Sequence, residues 1–194
     1  ILLGLVGSEM CIRDSLSRYV KSKNKIKLEI LQNKSLELSL FLSLPATLAL
    51  IIASEEIVSA LFGYGSFNEE SVKNSALALF YFALGLPAFS MIKIFSSFIF
   101  ARNDTKTPFY FSLISVILNI VISVSLFSKI GFIIIPIATT ISSWLNGFLL
   151  MVFALNKNYF NFNNSFFIQI FKISVSNLIC LGSVSYTHLR AHET

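Results

Sequence analysis

The chain has 194 residues, 55% of them hydrophobic and 13% charged, with 20 Phe and a mean hydropathy of +0.75. A water-soluble domain of this size needs a larger polar fraction to cover its surface, so that class is excluded and a polytopic, all-α membrane helix bundle is expected. The net charge of +5 is no nucleic-acid signature, because the cations cluster beside apolar runs, where they orient helices and meet anionic lipid headgroups.

In chain order, residues 1–15 and 184–194 read as non-native, linker-derived sequence. They hold both histidines, His188 and His192, two of the four arginines and one of the two cysteines, against an interior rich in Phe, Ile, Asn, Lys and Ser. Both ends are therefore set aside from functional reasoning. The chain starts without Met and reads as a fragment of something longer. Cys11 and Cys180 are too far apart in sequence and context to define a disulfide framework or a metal site.

Residues 16–35 form a basic amphipathic segment. Arg18, Lys21, Lys23, Lys25, Lys27 and Lys34 stand against Glu29 alone, which fits an interfacial helix on an anionic leaflet. The membrane domain, 36–183, holds about five runs of the length that crosses a bilayer: 36–54, 75–100, 109–127, 133–155 and 166–183. Pro45, Gly85, Pro87 and Pro136 lie within these runs and should bend them. The loop Ala60–Lys73 is acidic. The turn at Arg102, Asp104, Thr105, Lys106 and Pro108 is compact, with Thr107 expected as helix N-cap and Pro108 in the first turn. Lys129–Gly131 is a tight turn, and the polar-aromatic stretch 156–164 is expected at the headgroup level. Positive charge places the basic segment, the Arg102 turn and the Lys157 loop in the cytoplasm, and the acidic loop outside.

Two groups within the spans carry potential chemistry. Lys93 lies about 10 Å from the end of its helix at 1.5 Å per residue. It either snorkels to headgroups or faces a cavity, where it would meet an anionic group. Asn119 and Ser123 share a helix face at i, i+4, with Thr139 at a comparable depth. These oxygens either coordinate a small hard cation or hydrogen-bond between helices. A catalytic triad, a phosphate loop and a paired intramembrane carboxylate are all missing from the sequence, so no enzyme and no organic cofactor are expected.

Several stretches, in order, resemble the MurJ (MviN) family of lipid II flippases, in the multidrug/oligosaccharidyl-lipid/polysaccharide exporter superfamily. They are Leu16–Tyr19, Leu44–Ala46, the loop carrying Leu61, Phe62, Gly65 and Phe67, the helix carrying Gly85, Leu86, Phe89 and Lys93, and the turn Phe100, Ala101, Arg102, Asp104, Thr105 and Pro108. The resemblance implies part of one lobe of a larger two-lobed transporter in the bacterial inner membrane. That transporter would move lipid II, or another polyprenyl-pyrophosphate-linked glycan, by alternating access. It further implies that the amino-terminal lobe, with the arginines that hold the pyrophosphate, lies elsewhere. Lys93 and Asn119 then become substrate-path candidates. Asn119, Ser123 and Thr139 become candidates for a monovalent cation site, although Ser123 stands where the family pattern has an acid. A drug or polysaccharide exporter of the same superfamily and a non-transporting membrane scaffold are the alternatives.

Overall fold

The computed structural model describes residues 16, 18–20, 25–63, 68–163, 166–177, 179 and 182. Among these, the regular elements are helices: α1 (Lys25–Ile52), α2 (Ser54–Phe62), α3 (Glu69–Phe100), α4 (Lys106–Ile130) and α5 (Ile134–Asn156), with a 3-10 turn at Gly131–Ile133. Residues 166–177 form α6. The two terminal segments, and Gly65 and Phe67 of the loop motif, lie outside the described residues.

Three stretches are long and apolar enough to cross a membrane: Lys25–Ile52, Glu69–Phe100 and Lys106–Asn156. The last, 51 residues long, is a hairpin of two spans. Asn119 meets Thr139 across it, and the rings of Phe111 and Phe153 lie 5.8 Å apart, so α4 and α5 run antiparallel about the turn. Gly131 makes that turn with φ at +76°, a conformation open to glycine because it has no Cβ. Large apolar side chains such as Ile117, Val124 and Phe148 stay exposed on the outer faces. Such faces suit lipid or further helices rather than water.

Close helix approach rests on small residues, as is usual where lipid removes the hydrophobic drive between helices. Ala83, Ala88 and Ala138 are essentially buried. A Cβ on Gly85 would come within 3.2 Å of the Thr140 hydroxyl and 3.1 Å of the Phe89 ring. Thr140 donates to the Tyr81 carbonyl at 2.6 Å, and the Trp144 indole donates to the Leu84 carbonyl at 3.1 Å, which ties α5 to α3.

The structure departs from the sequence reading in several places. The basic segment from Lys25 onward and the first span are one continuous helix. Gln32 and Asn33, both buried, donate to the carbonyls of Tyr159 and Asn161 at 2.9 Å each, so this turn docks on protein rather than on a lipid surface. The 156–164 stretch is no simple aromatic belt either, since Phe160 is 1% exposed and its ring packs against Phe95 and Phe98 at 5.5 and 5.6 Å. Pro136 falls in the first turn of α5, where its missing N–H breaks no helical bond, so it does not bend that span. Pro45 and Pro87 do lie inside α1 and α3.

Gln32, Arg102 and Tyr159 meet at one end of the bundle. At the other end, Ile57, Leu61 and Phe132 line a shared cavity. The three segments expected in the cytoplasm therefore lie together, opposite the acidic loop.

Candidate functional site

Between α1 and α3 runs a groove of about 330 Å³. Ser39, Leu42, Ser43 and Ala46 line it from α1, at i, i+3, i+4 and i+7. Leu86, Ser90, Lys93 and Ile94 line it from α3. These spacings put each set on one face of its helix. Lys93 is exposed, so its ammonium is not sealed in hydrocarbon-like packing. A charge at this depth is tolerated where a face is wetted or a partner is supplied. Composition did not reveal the three serines, because Ser is scattered along all the spans. Their helical phase, shared with Lys93 across two elements, was the signal available.

Asn119, Ser123 and Thr139 do come together. Asn119 Nδ2 donates to Thr139 Oγ1 at 3.0 Å and to Ser142 Oγ at 3.3 Å, and Ser123 Oγ sits 3.4 Å from Asn119 Oδ1. Thr139 and Ser142 in turn donate to the carbonyls of Ile135 and Thr139. This donor set is neutral, and the Asn119 amide takes one acceptor site on each hydroxyl, leaving each a second lone pair. A monovalent cation at these oxygens would compete with that amide, and none of the three candidates is itself a carboxylate. As it stands, the arrangement is an interhelical clasp.

The Arg102 turn is built from backbone geometry upward. Asn103 closes it with φ at +61°, a left-handed conformation that Asn adopts more readily than most residues. The Arg102 guanidinium donates to the Phe98 carbonyl at 2.9 Å and to the Tyr159 carbonyl at 2.6 Å, and lies 4.4 Å over the Tyr159 ring. Burial pulls its pKa down from the ordinary value, with the neighbouring Tyr159 opposing, yet a guanidinium remains charged at physiological pH. Asp104, rather than Thr107, caps α4. Its carboxylate accepts the Thr107 hydroxyl at 2.7 Å and the Thr107 N–H at 3.1 Å. The Thr107 hydroxyl bond, ahead of the backbone N–H bonds of Thr107 and Lys106 and the charge of Lys157, holds the Asp104 carboxyl below the usual range. Thr105 and Lys106 are exposed, and Pro108 is buried in the first turn of α4. The turn is thus an anchor. Gln32, Asn33 and Tyr159, which surround it, were not singled out from sequence because their partners are distant in the chain, 127 residues from Gln32 to Tyr159, 128 from Asn33 to Asn161 and 57 from Arg102 to Tyr159.

The comparisons with known proteins accord with this architecture. A family profile described as "Lipid II flippase MurJ" matches residues 11–193, a range that includes parts of both ends set aside above. The chain is 40% identical to a probable lipid II flippase MurJ of Rhizobium meliloti over 150 residues, covering 76% of this chain and 28% of the relative. It is 38% identical to one from Thermotoga maritima, covering 75% and 29%, and 33% identical to one from Rhizobium tropici, covering 95% and 35%. The chain thus spans about a third of the length of these curated relatives. A solved structure titled "Lipid II flippase MurJ, inward closed conformation" superposes with a TM-score of 0.65 at 23% identity, over 93% of this chain and 43% of that one, a likeness of fold. The chain belongs to the MurJ family of lipid II flippases, multi-pass helical proteins of the bacterial inner membrane.

Proposed function

We propose that this chain forms one wall of the path along which a lipid II flippase passes its substrate across the inner membrane by alternating access. The observation that carries this reading is the serine-lined groove with Lys93 between α1 and α3. A polar headgroup entering the bilayer loses water. Hydroxyls replace part of that hydration, and an ammonium attracts the pyrophosphate more strongly in a low-dielectric groove than in water. The partners would be lipid II, or another polyprenyl-pyrophosphate-linked glycan, and an amino-terminal lobe that completes the cavity. No covalent step is required. The work is displacement of a bound headgroup between two states of the bundle, with Pro45, Gly85 and Pro87 supplying compliance in α1 and α3.

In the full-length protein bearing this segment, Lys93→Met should insert and accumulate normally yet fail to sustain growth as the sole flippase. Lys93→Arg should keep part of the activity, because charge survives while geometry changes. Unimpaired growth of the Met variant would remove Lys93 from the path.

A further inference from the structure

A second groove, of about 370 Å³, lies between α1 and α6, on a face other than the one that carries Lys93. Its polar part is Lys34, Glu37, Gln169 and Lys172. Its apolar part is Leu38, Phe41 and Ile173. On α1, Lys34 follows directly on Gln32 and Asn33, which are bonded to the loop at the Arg102 end of the bundle. Phe41 is seven residues further on, or about 10 Å deeper. On α6, Gln169 lies beside Glu37, and Lys172 and Ile173 follow about one turn deeper, near the level of Phe41, so the two lysines flank the polar part from its shallow and deep ends. Leu38 and Phe41 are each 55% exposed, so the apolar part is open.

Glu37 is the one carboxylate lining the groove among the described residues. With the Gln169 amide turned so that its nitrogen faces Glu37, it donates to both carboxylate oxygens, at 2.6 and 3.2 Å, and this neutral donor bridges the two helices. Lys34 and Lys172 remain on opposite walls, both exposed, and long lysine stems let their ammonium groups rise to the headgroup level.

We infer that the groove formed by Lys34 and Lys172 over Leu38, Phe41 and Ile173 is a binding site for an anionic phospholipid of the cytoplasmic leaflet. Its phosphodiester is held between the two lysines, and an acyl chain lies along the apolar part. Charge complementarity selects this occupant. The stem of Lys172 can climb toward Lys34, so that the two ammonium groups flank one phosphodiester, and the exposed Leu38 and Phe41 beside them match the attached chain. Glu37 works against the anion and tunes the site to be reversible.

The test is native mass spectrometry of the full-length protein with phosphatidylglycerol or phosphatidylcholine at equal mole fraction. A lysine near an anionic lipid contributes roughly a fivefold preference. Lys34→Gln/Lys172→Gln should therefore lower retained phosphatidylglycerol by up to about 25-fold, to the level of phosphatidylcholine. Lys34→Arg/Lys172→Arg should retain it, and Glu37→Gln should raise it, which guards against a variant that merely misfolds. Soluble glycerol 3-phosphate should not displace the lipid. Equal retention of the two lipids, no change in the Gln pair, no gain with Glu37→Gln, or displacement by glycerol 3-phosphate would each overturn the assignment. Another helix of the longer chain filling the groove would give the first of these results. Failure here leaves the Lys93 reading intact, since the two grooves share no residue.

Discussion

Single residues set the geometry of the Arg102 end. Asp104 caps α4 with two bonds to Thr107, and its lowered pKa gives that cap a pH dependence of definite sign. A carboxyl depressed in the folded state contributes stability above its unfolded value, near about 4, and loses it as pH falls through the folded value. Asp104→Ala should cost about 1 kcal/mol at pH 7, the ordinary cost of a lost cap. The gap to the parent protein should close as pH drops below about 4, as followed by thermal unfolding in detergent. A gap that persists undiminished in acid would show that the carboxylate's charge does not matter. The sequence exposed Arg102, Asp104 and Pro108 as a compact turn, but it pointed to Thr107 as the cap. Asp and Thr both cap helices, and only the backbone path decides which oxygen reaches the free N–H.

Among elements, the α4–α5 hairpin depends on Asn119, which bonds to both Thr139 and Ser142. Asn119→Ala should lower stability by about 1 kcal/mol, within the range for polar clasps in membranes. Exchanging sodium for choline should leave the parent's unfolding midpoint unchanged, because Asn119 already joins the two helices through its own hydrogen bonds. A sodium-dependent rise that Asn119→Ala abolishes would instead support a cation at this cluster. The helices themselves were legible, since apolar runs bounded by Lys, Gly and Asn leave few alternatives in a bilayer. The start of α1 was not. Ile26, Leu28, Ile30 and Leu31 among lysines suit an interfacial helix as well as a docked one. Gln32 and Asn33 dock its end by finding carbonyls in a distant loop, while Ile26 and Ile30 stay exposed. Phe160 was illegible for the same reason, since an aromatic beside asparagines looks interfacial until Phe95 and Phe98 close over it.

For the whole molecule, the claims concern orientation and path. The Arg102 turn and the Tyr159 loop cluster at one end of the bundle, with the acidic α2–α3 region at the other. In a background lacking Cys11 and Cys180, Glu70→Cys should react with an impermeant thiol reagent on intact cells, and Lys106→Cys should react only after lysis. Equal or inverted labelling would break the topology. The central claim is that the Lys93 groove meets the substrate, and photocrosslinking tests it most directly. A photoreactive amino acid at Ser90, in the full-length protein in membranes supplied with labelled lipid II, should capture the lipid, and Lys93→Met should weaken that capture severalfold. No adduct at Ser90, or an adduct indifferent to Lys93→Met, would contradict the account.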